Sequence, residues 1–225
     1  MILNTKFNYP KSIRAYYQGK RLYDIGQEKL PSVTTILQAT QSNEKREILE
    51  RWRKKVGIKE AEAITREATN RGSNMHSYIE QFILGKLNLD LLGDNSLEKM
   101  MADQIIENGL RNKLEEVWGV EATLYYPGKY AGACDLVGVY SNHETIIDFK
   151  QSNSLRQDSW NDDYYLQLGA YSLAHDKVYK TQISQGVILV CTKDLMFQCF
   201  TIDSDRLIDC QKKFLEKVEE YYQMQ

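Results

Sequence analysis

No stretch of this sequence approaches the ~20 consecutive apolar residues that a helix needs to cross a bilayer. The opening segment, Met1 to Tyr17, has no apolar run ahead of a small-residue cleavage site, so no secretory leader is expected. The four cysteines, Cys134, Cys191, Cys199 and Cys210, form no CxxC pair, which argues against structural zinc or an iron–sulfur cluster. Cys134 and Cys191 fall in apolar runs that read as strands, where a reduced thiol behaves as a small hydrophobe. There is no GxxxxGK[ST] loop, internal repeat or low-complexity tract, so any ATP-driven motor would have to come from a partner chain. These absences leave an intracellular protein, with the cytoplasm of a bacterium or a phage-infected cell as the expected setting. Its 225 residues suffice for one domain with a sizeable core and would be cramped for two.

The net charge of −2 argues weakly against bulk nucleic-acid binding, but the charge is unevenly spread. Residues 1–71 hold 15 Lys and Arg against 8 Asp and Glu, whereas the remainder holds 14 against 23. A basic first third can follow a phosphate backbone while an acidic remainder holds metal. The alternative for Arg51, Arg53, Lys54 and Lys55 is the solvated face of a helix.

The first 40 residues read as a Tyr-rich loop ending in a short helix capped by Ser32. Helical patterns follow over Asn43–Lys55, Ile58–Asn70 and from about Gly72, the last broken by Gly85 and the Asn88–Asn95 region. Leu97–Trp118 reads as a long helix, making residues 1–118 mainly helical. Beyond Gly119 the period changes to 2, with strands expected at Val120–Tyr126, Tyr130–Tyr140 and Thr145–Lys150. A polar loop, Gln151–Asp162, leads to a helix over Asp163–His175. Strands at Val187–Cys191 and Met196–Ile202 precede a C-terminal helix capped by Asp203. Residues 119–225 therefore read as an αβ core behind a helical N-terminal part, all within a single domain spanning 1–225.

A hairpin turn between Ser141 and Asn142 sets Asp135 opposite Asp148, with Cβ atoms about 5 Å apart on one face. That is close enough for both carboxylates to hold one Mg²⁺ at metal–oxygen distances of about 2.1 Å. Lys150, two residues on, projects to the same face, and Phe149 points away into packing. Two carboxylates and an ammonium among Val137, Val139, Ile146 and Ile147 are costly to bury without a purpose. Phosphodiester hydrolysis supplies one, because it needs an activated water and charge stabilisation on the phosphate. An ion pair at an exposed strand end is the other reading of the same residues.

Gly132-Ala133-Cys134-Asp135, followed thirteen positions on by Asp148-Phe149-Lys150, resembles the G-x-x-D…D-x-K core of the PD-(D/E)XK nucleases. Upstream, Arg71 to Glu80 is similar to the G…H…E helix of the RecB-type branch, and Gln167 with Tyr171 matches its Q-x-x-x-Y helix. With the Leu30–Leu37 element and the Trp52…Gly57 stretch, residues 10–175 resemble the small exonucleases of phages and mitochondria within that branch. The resemblance implies a restriction-endonuclease-like core, a mixed central sheet flanked by helices, and dependence on Mg²⁺ or Mn²⁺. It makes His76 a metal ligand beside Asp135, Asp148 and the Phe149 backbone carbonyl. Glu80, on the same helical face as His76, would contact metal through water or orient Lys150. Lys150 would position or help deprotonate the attacking water, its own pKa open to lowering by neighbouring cations. Gln167 and Tyr171 would orient the substrate phosphate or the active-site loop, with packing as the other role of Tyr171. Arg71 and Ser152 become phosphate contacts, and Arg51, Trp52 and Lys55 nucleic-acid contacts.

The function so implied is an exonuclease acting on single-stranded DNA with a free end, in replication, recombination or repair, with partner proteins of those pathways. Two alternatives stay open: an endonuclease of the same fold cutting structured or duplex DNA, and a non-catalytic nucleic-acid-binding module. Retention of His76, Asp135, Asp148 and Lys150 speaks against the last.

Overall fold

A computed structural model describes residues 1–17, 20–26, 28–86 and 95–225, with the side chains of Tyr17 and Lys20 left aside. Its centre is a six-stranded mixed sheet of β1 (Ile2–Leu3), β5 (Leu114–Tyr126), β6 (Tyr130–Tyr140), β7 (His143–Ser152), β8 (Gln185–Thr192) and β9 (Phe197–Ile202), in the order β1-β5-β6-β7-β8-β9. β5, β6 and β7 form an antiparallel meander, and β8 lies parallel to β7. A parallel neighbour cannot be reached by a tight turn. The chain crosses over instead through α5 (Asp162–Tyr179) before β8, and α6 (Ser204–Gln223) follows β9.

Apolar residues on both faces of the sheet give it two cores. On one face Ile146, Ile188 and Val190 pack with Leu168, Ala170 and Tyr171 of α5 and with Leu207 and Phe214 of α6. On the other, Ile147, Phe149 and Leu189 meet Met75, Ile79 and Ile83 of α3 (Ile58–Ile83) and Met101 and Ile105 of α4 (Leu97–Ile105). The expected α/β class and the helix-flanked mixed sheet are therefore present. Ser32 and Asp203 cap α1 (Val33–Ala39) and α6 as expected, their side chains accepting the N–H groups of Thr35 and Arg206. The four cysteines are free thiols, with Cys134 and Cys191 buried in β6 and β8.

The N-terminal part departs from the expected pattern in three places. Residues 13–31 form a three-stranded sheet rather than a loop: β2 (Ile13–Tyr17), β3 (Lys20–Asp24) and β4 (Lys29–Pro31). Their strands are short, and Ile13 and Tyr16 face solvent, so the alternation that would betray them is weak. Helices expected on either side of Gly72 are one continuous α3, because a single buried stripe (Ala61, Arg71, Met75, Ile79, Ile83) runs through both. A lone glycine costs only about 1 kcal/mol there. The helix expected over Leu97–Trp118 ends at Ile105, followed by a π turn (Ile106–Leu110), and β5 starts at Leu114. Register shifts between Leu114 and Glu116 and between Val117 and Gly119 break the two-residue period that would have marked this strand. Residues 1–118 are thus a mixture of strand and helix. The break expected at Asn88–Asn95 lies, up to residue 94, outside the described residues.

Candidate active site

The β6–β7 hairpin has the expected register: Tyr140 pairs with His143, and the ladder runs back to Leu136 and Ile147. The next step would set Asp135 against Asp148. There the strands part, and the Asp135 carboxylate itself accepts the Phe149 N–H at 2.8 Å. β6 continues paired to β5, with one bridge from Ala131 to Ser32 on its other side. The parting opens the sheet beside the two carboxylates.

Asp148 is 2% exposed, which removes the reading of an ion pair at an exposed strand end. Its Oδ2 is enclosed, touches the Lys150 ammonium and has no well-aligned hydrogen bond. Burial pushes its carboxyl up to about 6; Asp135 adds to the rise and Lys150 opposes it. Burial acts the same way on Asp135, but His76, Lys150 and the Phe149 N–H outweigh it and hold that carboxyl below its ordinary value. The Lys150 ammonium also lies 4.9 Å from the Tyr164 ring. Burial alone would lower its pKa, but Asp148 and Asp135 raise it. The charges facing Lys150 in the structure are thus carboxylates, opposite in effect to the cations considered from sequence.

α3 brings His76 over the same point. Its Nε2 lies 2.8 Å from the Phe149 carbonyl oxygen and its Nδ1 3.6 Å from Asp135 Oδ1. Burial would depress the imidazole pKa, but Asp135 outweighs it and the net direction is upward. Imidazole, carbonyl and carboxylate therefore converge on one point.

Glu121, unforeseen from sequence, joins them. Ligand atoms of His76, Glu121 and Asp135 lie within 4.8 Å of one another. Glu121 sits on β5 between the pairs Val120–Leu136 and Ala122–Cys134, level with Asp135. Its φ of +49° is a left-handed conformation that costs a side-chain-bearing residue about 1–3 kcal/mol. The signal was available: a turn centred on Gly128 aligns 121 with 135 by the same arithmetic that aligned 135 with 148.

His76, Glu121 and Asp135 face a cleft of about 450 Å³ lined also by Arg14, Arg21, Glu80, Gln167 and Tyr171, while Asp148 and Lys150 are not part of its lining. Glu80 is in the cleft wall with His76, whereas Lys150, the residue it was expected to orient, has Asp148 and Tyr164 as neighbours. Gln167 donates to the Tyr171 hydroxyl at 3.2 Å. The Tyr171 ring packs so tightly under Gly132 that a Cβ there would come within 2.7 Å of it, which explains the glycine of the motif. Tyr171 thus has its packing role and a place in the cleft wall together.

Other named residues have different surroundings. Arg71 is 6% exposed, and its guanidinium donates to Glu67, Gln151 and Asn153, tying α3 to the end of β7. Ser152 donates to the Ser154 carbonyl in a local turn. Arg51, Trp52 and Lys55 lie on α2 (Asn43–Val56), which has no buried residue; Trp52 is half-buried and the two cations are exposed.

No protein-family model matches the chain. Among curated proteins it is similar to mitochondrial genome maintenance exonuclease 1 of Xenopus tropicalis, with 28% identity over 206 residues covering 85% of this chain and 57% of that one. The human protein of that name is 27% identical, covering 85% and 58%, and the mouse protein 29% over 213 residues, covering 89% and 61%. The chain thus spans about three-fifths of the length of these relatives, whose names set them at the mitochondrial genome rather than in the bacterial or phage setting expected above. Among solved structures a phage-related exonuclease from Haemophilus somnus aligns with 65% of this chain and 78% of its own at a TM-score of 0.32 and 15% identity, too loosely to argue from. No helix among the described residues is long and apolar enough to cross a membrane. In the order of its motifs, in its helix-flanked mixed sheet and in its relatives, the chain resembles the PD-(D/E)XK-type nucleases.

Proposed function

We propose that this protein is a divalent-metal-dependent deoxyribonuclease, an exonuclease that takes single-stranded DNA from a free end. The observation that carries the reading is the convergence of His76, Asp135 and the Phe149 carbonyl beside an enclosed Asp148 carboxylate and the Lys150 ammonium. An oxygen-rich donor set with one imidazole suits Mg²⁺ or Mn²⁺. Asp148, an enclosed carboxylate paired with Lys150, adds a second buried oxygen donor beside Asp135. Asp135, Asp148, the Phe149 carbonyl and His76 would hold the ion, with Glu121, whose ligand atom lies within 4.8 Å of those of His76 and Asp135, as a further donor and Glu80 at its margin. When bound it supplies Lewis-acid polarisation of the phosphate and lowers the pKa of a water.

The protein's own groups do the rest. The Lys150 ammonium, kept protonated by Asp148 and Asp135, offsets charge that develops on the phosphate and orients the attacking water. Gln167 and Tyr171, one helical turn apart, present an amide and a hydroxyl to the same cleft. We take residues 1–225 as one catalytic unit acting in replication, recombination or repair, beside partner proteins of those pathways. The relatives' names support the exonuclease class.

The test is Asp135→Ala or Asp148→Ala on end-labelled single-stranded DNA with Mg²⁺. Loss of one carboxylate should lower the cleavage rate by about three orders of magnitude, equivalent to about 4 kcal/mol of barrier. DNA affinity should stay within a few-fold, since backbone contacts fall to the basic N-terminal third. Robust cleavage by either folded variant would sink the assignment.

A further inference from the structure

We propose that Arg14 is a positioning residue that competes with the divalent cation for Glu121 and, once displaced, takes a phosphate of the substrate strand. The inference rests on the nuclease reading above. Arg14 lies on β2 opposite Tyr23 of β3, and its guanidinium sits 5.8 Å from the Tyr23 ring. Its Nη2 reaches Glu121 Oε2 at 3.4 Å. That is well beyond the 2.7–2.9 Å of a strong charge-assisted bond, and both side chains are partly exposed, 51% and 36%. The contact is therefore exchangeable.

Glu121 is also the carboxylate whose oxygen lies with His76 and Asp135 in one potential metal-holding group. A guanidinium keeps its charge at any working pH, so Arg14 and a divalent ion cannot both approach this carboxylate without mutual repulsion. Arg14 has somewhere to go. It lines the cleft together with Arg21 of β3, while His76, Glu80, Glu121 and Asp135 line it too. The β2–β3–β4 sheet is fixed to the central sheet where Ser32 bridges Ala131, close to the motif residues Gly132 and Asp135. A strand whose scissile phosphate lies at the carboxylates thus brings a neighbouring phosphate within the reach of these guanidinium groups, and Arg recognises phosphate in a forked geometry. Cation loading and strand binding are then coupled through one side chain, and the coupling is reciprocal.

The experiment compares wild type, Arg14→Gln and Arg14→Lys in two measurements. One is a calorimetric titration with Mn²⁺ in the absence of DNA. The other is fluorescence anisotropy of a labelled single-stranded oligonucleotide, in EDTA and in Ca²⁺, with intactness of the strand checked on a gel. Arg14→Gln should bind Mn²⁺ about fivefold or more tightly than wild type. It should bind the strand more weakly in Ca²⁺ but equally in EDTA, and Arg14→Lys should fall between. Unchanged or weaker Mn²⁺ binding by Arg14→Gln would overturn the proposal, as would an equal loss of strand affinity with and without cation. Should wild type itself bind no Mn²⁺, the metal reading of the site falls with it; binding that is present but insensitive to Arg14 removes this inference alone.

Discussion

His76 serves two partners at once, the Phe149 carbonyl through Nε2 and the Asp135 carboxylate through Nδ1. Both are acceptors, so the contacts suit a protonated ring, in keeping with the raised pKa. A metal ligand must be neutral, and taking up a cation then expels the proton. The sign follows. Below the raised His76 pKa protons compete and apparent affinity for Mn²⁺ falls as pH falls, by up to about tenfold per unit; above it the affinity levels off. Asp148, pushed up to about 6, adds a second competing proton only at lower pH. His76→Ala should therefore bind Mn²⁺ more weakly at pH 8 and lose most of the pH dependence above 6. Excess Mn²⁺ should restore part of its activity, because the remaining oxygen donors still hold the ion and a higher concentration offsets their weaker affinity. Calorimetry in two buffers of different ionisation enthalpy counts the released proton; an unchanged count in His76→Ala would return this residue to packing. Asp135, Asp148 and Lys150 were legible in the sequence because a two-residue alternation and one turn place them. Glu121, although inside the expected strand Val120–Tyr126, was not, because no register was drawn across Pro127 and Gly128.

At the scale of elements, α3 and the end of β7 form the two sides of the site, and Arg71 joins them. From sequence this arginine reads as a phosphate contact. The fold encloses it, and donors from Nε, Nη1 and Nη2 go to Gln151, Glu67 and Asn153. Arg71→Ala removes three hydrogen bonds at the junction and leaves a gap beside them, which should cost about 2 kcal/mol. For a chain of this size that lowers Tm by roughly 4–8 °C. Because Gln151 adjoins Lys150, the rate of cleavage should fall with it. A thermal melt and a rate measured well below Tm separate the two effects, and an unperturbed melt would mean that the guanidinium is not holding these elements together. α5, α6 and the β6–β7 hairpin were readable from period, capping and turn chemistry. β5 was misjudged where two register shifts hide its period, and β2 and β3 where short strands leave Ile13 and Tyr16 in solvent.

Across the whole molecule the basic residues of the first third gather on parts that stand out from the cores. α2 has no buried residue and carries Arg46, Arg51, Arg53, Lys54 and Lys55. Near its start Lys45 pairs with Asp163 at the head of α5, while α3, which follows it, packs its C-terminal half on the opposite face of the sheet. The α2–α3 segment thus runs from one face of the sheet to the other, as an arch would. Not every aromatic of this region belongs to the substrate. Tyr23 is 2% exposed and part of a core cluster, whereas Tyr16 is 71% exposed and Trp52 half-buried. Unpaired bases stacking on such exposed rings gain about 1–3 kcal/mol each, while the cations neutralise phosphate. We expect a single strand to pass beneath the arch to Asp135 and Asp148, and a duplex, stiffer and about twice as thick, to be refused. Passage of that kind requires an end. A covalently closed single-stranded circle should therefore survive under conditions of metal and salt that degrade its linear form, and nicking the circle once should restore degradation. Trp52→Ala should slow the linear reaction through a weaker KM rather than a lower kcat, since Trp52 would touch the strand away from the reacting phosphate. Equal degradation of circle and linear strand would mean endonucleolytic cutting, and threading beneath α2 and α3 would have to be abandoned.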